Sequence, residues 1–596
     1  MCGIVGIIGK FKPKLTIECL HQLQNRGYDS AGISILEQNS GLTTFKEINK
    51  ESIDTLLLKT ANFKEDFYNC ISHTRWATHG GITFDNCHPH LSNNCTLNLV
   101  HNGIIENYEE IKNLLIKNGF KFYSDTDSEV IVNLIEYNYE IIQKENIENE
   151  NKNNKLQILK ESIEKSINYL NGTWALLIQH TELPNNIFAI KRGSPLVIGH
   201  NNNVKIITSE ISAFNNLLFE YSELESDKLY VIDNSNSLQL SFNLKINKCN
   251  NENIGIFDHW MIKEINDQKK LISNITNNGS RIKENRVIFG GLQQNKKIIN
   301  NCDNLLLFGC GTSYNSCLYA KHYIQNITHF KNILCFDACN FNLDSIPKNS
   351  KNCCLFVSQS GETKDLFEIL NNIKKENLSE INIGIINVVD SLIARTVDCG
   401  IYLNMNKEVS VASTKIFTAQ CLTLILFGVY LCENKITCDN YINNIRNLEK
   451  QIINEIDDEI DNSNLDKLFE SNNGFIIADS ELYPIALEAS LKLKEVTYLH
   501  IEALTTKSLK HGPLALVSEN NFINILLLDN NSGSSCKQEI LARDGKIIEI
   551  SNNNNTNNVF SSLLYIIKLQ KICYYLSIKK GINPDFPRNL AKVVTV

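Results

Sequence analysis

The chain has 596 residues, 43% of them hydrophobic and 21% charged, an ordinary balance for a globular protein and too long for a single core. A formal net charge of -8 disfavours a general nucleic-acid binder. The longest apolar run, 417–432, is interrupted by Thr418, Gln420 and Thr423 and is too short to span a bilayer, so it reads as a buried helix and no membrane association is expected. Nineteen cysteines are scattered without a Cys-x-x-Cys pair, which fits reduced thiols in a cytoplasmic protein better than a disulfide scaffold. Cys87-His88-Pro89-His90, with His73, His79, Cys95 and His101 near in sequence, lacks the ligand spacing of a structural zinc site, and no metal is expected.

In chain order, Met1-Cys2-Gly3-Ile4-Val5-Gly6 comes first. Loss of Met1 ahead of a small residue leaves Cys2 as the terminus, its thiol and α-amine on adjacent atoms. Their ordinary pKa values, about 8.5 and about 7.7–8.0, allow the amine to act as base for its own thiol. Ile4, Val5, Ile7 and Ile8 read as a buried strand that holds this terminus. Further strands are expected at 31–36, 69–73, 97–101, 175–179 and 204–208, with helices at 17–24, 108–118 and 128–136. Residues 144–155, charged and asparagine-rich, read as an exposed loop or frayed helix end, and the asparagine-rich stretch 241–257 as a domain boundary.

After a polar amphipathic helix and turn at 260–281, one theme repeats: an aliphatic strand, a turn of Gly, Ser and Thr, then a helix. Leu305-Leu306-Leu307-Phe308 enters Gly309-Cys310-Gly311-Thr312-Ser313, and Cys354-Leu355-Phe356-Val357 enters Ser358-Gln359-Ser360-Gly361-Glu362-Thr363. Phe475-Ile476-Ile477-Ala478 enters Asp479-Ser480 and a helix from Pro484. Strands without polar alternation, separated by helices, imply parallel sheets covered on both faces, with ligands beyond the strands' carboxyl ends. Three hydroxyls at the helix start after Val357 suit a phosphate, and Thr312-Ser313 can complete the seat. No Gly-Lys-Ser/Thr ending marks a Walker loop.

In the first half, Arg75 can take a carboxylate bidentately, Asn102 and Gly103 can donate to an oxyanion, and Asp125-Thr126-Asp127 can hold an ammonium. With the Cys2 thiol, that set suits a free amino acid bearing a side-chain amide.

The hexapeptide at the start, Arg26-Gly27-Tyr28-Asp29-Ser30-Ala31-Gly32, and the runs 73–80 and 101–107 resemble class II (N-terminal-nucleophile) glutamine amidotransferases. Cys310-Gly311-Thr312-Ser313, the run 358–363, Val411-Ala412-Ser413-Thr414-Lys415, Lys492-Leu493-Lys494-Glu495, Lys510-His511-Gly512-Pro513-Leu514-Ala515-Leu516 and Pro587-Arg588-Asn589-Leu590-Ala591-Lys592 narrow this. Together they resemble the glutamine–fructose-6-phosphate aminotransferase (isomerizing) family, the glucosamine-6-phosphate synthases, in the family's order from residue 2 to 592.

The resemblance implies an α/β chain: an αββα sandwich glutaminase domain at 2–240, a linker and helix at 241–290, two doubly wound sugar isomerase (SIS) subdomains at 291–445 and 446–580, and a tail at 581–596. It implies that Cys2 attacks the glutamine amide, that Asn102 and Gly103 stabilise the oxyanion, and that Arg75, Thr78, His79 and Asp127 hold the amino acid. Trp76 would gate an ammonia channel. Cys310, Gly311, Thr312, Ser313, Ser358, Gln359, Ser360, Thr363, Val411, Ser413 and Ala591 would bind fructose 6-phosphate. Lys592 would form a Schiff base, Glu495 would move the proton between C1 and C2 with Lys492 assisting, and His511, from a neighbouring subunit, would open the ring. The resemblance implies no cofactor and at least a homodimer. Three departures stand out: Leu23-Gln24-Asn25-Arg26 where Leu-Glu-Tyr-Arg is usual, 263–269 without Tyr-Glu-Gln-Pro, and Val593-Val594-Thr595-Val596 without a closing glutamate. Another class II amidotransferase, or a phosphosugar-binding regulator of the same fold, are the alternatives.

Overall fold

The computed structural model describes residues 2–23, 29–37, 41–48, 51–75, 81–148, 154–201, 203–214, 217, 220–233, 244–245, 254–283, 286–389, 391–479, 481–518, 521–527, 534–550 and 558–592. It divides near residue 251 into two compact units.

The first unit begins β1 (Gly3–Phe11), α1 (Lys14–His21), β2 (Ser30–Glu37), β3 (Gly41–Glu47), α2 (Ser52–Thr60), β4 (Asp66–Arg75), β5 (His90–Leu91) and β6 (Leu97–Ile105). Helices α3 (Tyr108–Lys117), α4 (Asp127–Glu148) and α5 (Lys155–Ile167) follow. Strands β7 (Gly172–His180), β8 (Ile187–Arg192), β9 (Val197–His200), β10 (Val204–Thr208), β11 (Glu220–Glu223), β12 (Tyr230–Ile232) and β13 (Leu244–Lys245) complete it. One sheet runs β13-β11-β9-β10-β1-β4-β2-β3, the other β12-β8-β7-β6-β5.

The alternation of side chains along β1 shows how the layers stack. Ile4 and Ile8 enter the core between the sheets with Leu177 and Ala189, while Val5 and Ile7 pack with Ile17 and Leu20 of α1 and Ile53 and Leu56 of α2. Gly6 lies on the inter-sheet side, where a Cβ would fall 2.6 Å from Leu177 Cδ1. The second sheet's outer face packs through Leu97, Leu99 and Leu176 on Val130 and Ile131 of α4 and Leu159 and Ile163 of α5. The order is helix, sheet, sheet, helix, as expected. Full burial of Ile4, Val5, Ile7 and Ile8, at about 1.5–3 kcal/mol each, fixes the strand that carries Cys2.

Two of the helices expected in the first unit have other limits in the structure. α1 starts three residues earlier than expected because Pro13, with φ −52°, is already set for a helix. α4 runs on to Glu148 because Tyr139 and Ile142 keep its apolar face in the core.

The second unit opens with α6 (Trp260–Asp267) and α7 (Leu271–Ile275), where one amphipathic helix was expected. A 3-10 turn separates them, and Gln268 within it is buried, bonding Gln570 at 2.8 Å and Thr418 at 2.7 Å. The ribbon β14 (Ile282–Lys283) and β15 (Arg286–Val287) and helix α8 (Lys296–Asn300) follow. Then come β16 (Asn304–Gly309), α9 (Thr312–Ile324), β17 (Asn332–Asp337), β18 (Asn352–Ser358), α10 (Lys364–Lys375), β19 (Ile381–Ile386), α11 (Leu392–Thr396) and β20 (Cys399–Tyr402). The next segments are α12 (Lys415–Leu431), α13 (Lys435–Asp457), α14 (Asn462–Phe469), β21 (Asn473–Ala478), α15 (Tyr483–Thr497) and β22 (His500–Thr505). Last are β23 (Phe522–Leu527), α16 (Ser534–Leu541), β24 (Lys546–Ile550) and α17 (Ser562–Lys579).

The strands form two all-parallel sheets, β17-β16-β18-β19-β20 and β22-β21-β23-β24. Each is covered on both faces: Leu305 and Leu307 face one core cluster, Leu306 and Phe308 another, and Ile476 and Phe475 divide likewise. Helix α12 is buried along its whole length, and among the described residues no helix is long and apolar enough to cross a membrane. The expected subdomain limit at 445/446 falls inside α13, whose buried face runs from Cys438 to Ile452 without a break.

Candidate active site

In the first unit, β1 lies against β4 with Gly3 opposite Thr74 and Ile4 opposite His73. Thr74 Oγ1 accepts from Gly3 N at 3.0 Å and Ser209 Oγ from Ile4 N at 3.1 Å, so the half-buried Cys2 enters on a fixed strand. Asn102, buried on β6, donates Nδ2 to the Cys2 carbonyl at 2.8 Å. Its neighbour Gly103 has φ 141°, and a Cβ there would lie 1.9 Å from Thr173 O, so only glycine fits.

His73 decides which way Asn102 points, a role that the sequence did not reveal. Its Nε2 meets two carbonyl-type acceptors, His101 O at 2.9 Å and Asn102 Oδ1 at 3.1 Å, so that nitrogen carries the proton. Asn102 therefore turns its NH₂ toward Cys2. Burial lowers the His73 pKa to about 3, so the ring is neutral.

The ring of His73 stacks on His88 at 3.9 Å between centroids, and His88 meets His90 edge-on at 4.5 Å. The sequence placed these histidines near one another; the structure makes them a buried, neutral support below the site.

Arg75, at the end of β4, is buried and donates Nη1 to Gly81 O at 3.0 Å. Burial lowers its pKa against the pull of Cys2, Cys87, Asp29 and Asp127 nearby. Asp127, at the start of α4, accepts from Ile105 N at 2.9 Å and lies 3.8 Å from His101 Nδ1. Trp76, Thr78 and His79 lie outside the described residues.

In the second unit a cavity of ≈ 340 Å³ opens at the carboxyl ends of β16 and β18. The sheet order reverses between those two strands, the switch point where such folds place ligands. Cys310, Gly311, Thr312 and Ser313 line one side, Ser358, Gln359, Ser360 and Thr363 another. Val411, Ser413, Lys492, Glu495, Ala591 and Lys592 close it, so every residue expected to hold the sugar phosphate is present. His511 is exposed on the turn after β22 and is not among the lining residues.

Neither α9 nor α10 has a side-chain cap on its first turn. Ser358 Oγ instead accepts from Gly361 N at 2.9 Å and Ser360 Oγ from Glu362 N at 3.1 Å, shaping the turn and leaving helix N–H donors for an anion.

Lys492 is fully buried on α15 between Glu495 Oε2 at 2.6 Å and Glu488 Oε1 at 3.4 Å, and donates to Thr312 Oγ1 at 3.2 Å. Burial opposes its charge, but the two carboxylates outweigh it and raise the pKa. Glu488 also takes Thr312 Oγ1 and Asn315 Nδ2, each at 2.9 Å, tying α15 to the start of α9.

Lys592 Nζ bonds Glu408 Oε2, both side chains almost wholly buried. Glu408, which the sequence did not single out, also accepts from Ser413 Oγ and Thr414 N, each at 2.8 Å. Burial works against its charge, yet Lys592 and these donors hold its carboxyl below the usual range. Glu264 nearby is pushed up to about 8 by burial and by Glu408. The tail reaches this place through Asp585, whose carboxylate accepts from Trp260 N at 2.7 Å and Met261 N at 2.8 Å at the start of α6. Arg588, stacked 4.1 Å over the Tyr498 ring, adds a second hold.

The glutamine amidotransferase domain family matches residues 83–216, and the SIS domain family 298–430 and 467–575. A probable glutamine–fructose-6-phosphate aminotransferase (isomerizing) of Acanthamoeba polyphaga mimivirus is 34% identical, covering 100% of both chains. The enzyme of that name from Buchnera aphidicola subsp. Baizongia pistaciae is 35% identical, again over 100% of both. The chain belongs to the glutamine–fructose-6-phosphate aminotransferase (isomerizing) family. The C-terminal domain of the glucosamine-fructose-6-phosphate aminotransferase of Francisella tularensis matches 55% of this chain and 99% of its own, at 26% identity and TM-score 0.50. As a member of that family, the chain is an enzyme with a glutamine amidotransferase domain and SIS domains.

Proposed function

We propose that the chain converts D-fructose 6-phosphate and L-glutamine into D-glucosamine 6-phosphate and L-glutamate, the opening step of hexosamine synthesis, in the cytoplasm. The observation that carries this is the cavity in which two hydroxyl-rich turns, Lys492, Glu495 and the tail residue Lys592 meet.

With Met1 removed, the Cys2 thiol attacks the glutamine amide and its own amine takes the proton. Asn102 Nδ2 and Gly103 N–H receive the oxyanion, Arg75 the α-carboxylate and Asp127 the α-ammonium. Trp76, Thr78 and His79 complete the glutamine pocket by family likeness. The tetrahedral adduct collapses to a γ-glutamyl thioester and ammonia, and water then hydrolyses the thioester to L-glutamate and the free Cys2 thiol.

In the cavity, helix N–H groups and the hydroxyls of Thr312, Ser313, Ser358, Ser360 and Thr363 seat the phosphate, and Gln359, Cys310, Gly311, Val411, Ser413 and Ala591 shape the remainder. Lys592 must lose a proton before it attacks the ketose carbonyl, and Glu408 is the base at hand. Ammonia adds at the imine carbon, the Lys592 amine leaves, and Glu495 carries the proton between C1 and C2, with the Lys492 ammonium holding its carboxylate in place. His511, outside its own chain's cavity, is read as serving a neighbour's, which makes the working unit at least a homodimer. The reading needs no cofactor and no metal for turnover. Its domain limits are 2–240, 241–290, then two subdomains divided after α13 and not at 445, then the tail.

Amide-¹⁵N glutamine and fructose 6-phosphate, with products weighed by mass spectrometry, test it. Label in glucosamine 6-phosphate is expected; label confined to free ammonia overturns the transfer.

A further inference from the structure

Two thiols and a carboxylate from three separate segments meet on the rim of the second unit's cavity. Cys310 follows β16, Cys339 sits on the 3-10 turn after β17, and Asp365 is in the first turn of α10. Their ligand atoms all lie within 4.8 Å of one another, both cysteines are free, and all three residues line the cavity. Tetrahedral zinc, with Zn–S about 2.3 Å and Zn–O about 2.0 Å, sets sulfur and oxygen about 3.5 Å apart. Cys339 Sγ and Asp365 Oδ2 stand at 3.6 Å.

The support is built as well. Asp337 Oδ1 accepts from Cys339 N at 3.2 Å and fixes the turn that presents the thiol. Burial first, and then the negative field of Asp337 and Asp365, disfavours thiolate at both sulfurs in the metal-free protein. The same field favours a dication. A favourable negative charge in the first turn of α10 explains Asp365 and turn geometry explains Asp337, but neither brings two thiols onto one carboxylate.

We infer that Cys310, Cys339 and Asp365 form a three-donor site for a thiophilic divalent cation of the zinc class, and that its occupancy closes the cavity to the sugar phosphate. The cation takes two thiolates and one carboxylate oxygen, with water in the fourth position. Two protons leave to solvent for each ion bound, and nothing is oxidised. The ion ties the turn after β16 to α10, both of which line the cavity, and takes up Cys310, one of the residues read as holding the sugar phosphate. This second half rests on the sugar-phosphate reading of the cavity; the cation site does not.

The test uses the full chain, kept reduced with a phosphine, and Cd²⁺ as probe, read by thiolate-to-metal absorption in the ultraviolet. Wild type minus Cys339→Ser isolates the site from the other thiols. Cys339→Ser is expected to lose this band and to weaken Zn²⁺ binding by more than about 100-fold, beyond the roughly 10–100-fold that a lost supporting contact costs. Asp365→Asn keeps both thiols and is expected to keep the band but bind more weakly. Identical titrations of wild type and Cys339→Ser overturn the site.

Fructose 6-phosphate is expected to weaken Cd²⁺ binding, and Zn²⁺ to raise the apparent KM for the sugar in wild type, with each variant's metal-free rate as its own reference. Cation binding that ignores fructose 6-phosphate overturns the closure. Sugar binding measured without metal separates that result from failure of the sugar-phosphate reading.

Discussion

His73, His88 and His90 are buried, and burial holds each ring's pKa low, to about 3 for His73. Arg75 adds its positive charge against protonation of all three. In the unfolded chain each titrates near about 6.5. Folded-state values below the unfolded one mean stability that is present above about pH 6.5 and lost as the pH falls toward 3. At pH 5 each unfolded ring gains about 2 kcal/mol from its proton, so three rings cost the fold about 6 kcal/mol. That rivals the roughly 5–15 kcal/mol by which a domain is stable at all. Urea unfolding followed at pH 7.5, 6 and 5, with glutaminase activity as the readout of the first unit, measures it. The unfolding free energy is expected to drop steeply below pH 6.5, and His90→Gln to recover about a third of the drop. A profile flat from pH 7.5 to 5, or a His90→Gln slope equal to wild type, refutes the buried neutral cluster.

Cys2→Ala is expected to abolish glutamine hydrolysis while sugar isomerisation stays measurable; equal loss of both in a folded protein contradicts the division of labour. Lys592→Met is expected to stop aminosugar formation by at least about 1,000-fold, a loss of about 4 kcal/mol in transition-state stabilisation, with glutaminase turnover intact. Borohydride trapping on fructose 6-phosphate should label wild type and not the variant. Gly103→Ala places a methyl on Thr173 O and at a φ that L-residues avoid. Loss of glutaminase activity with a lower melting temperature is expected, and an unchanged melting curve rules the clash out.

Much of this was written in the sequence because the signals were local. Unbroken aliphatic runs ending in Gly, Ser and Thr located β16, β18 and β21, and the turns after β16 and β18 form two walls of one cavity. The alternation in β1 was equally plain. Glu408 was not legible: nothing around it announces that an α-helix start and a tail lysine will converge on it from far along the chain. His73 was noted in the sequence among scattered cysteines and histidines and given no role of its own, because its hydrogen bond to Asn102 crosses from β4 to β6. The break at Gln268 likewise depends on Gln570 and Thr418, which no helical period in 260–281 could contain. Residues fixed by contacts distant in sequence are the ones that pattern reading cannot supply.

Helix α12 has a consequence for how the molecule is made. All its residues, Lys415 to Leu431, are buried, chiefly against the earlier α9, α7 and β15, while Gln570 of α17, which donates to Thr414 O at the helix start at 3.2 Å, is encoded later. A ribosome adding about 5–20 residues per second needs on the order of ten seconds to deliver α17 after α12 has emerged. Through that interval the nascent polypeptide carries a stretch almost as oily as a bilayer segment before the last of its packing partners has been made. Yield in a heterologous host should therefore depend on translation speed and chaperone supply across this window more than on the finished protein's stability.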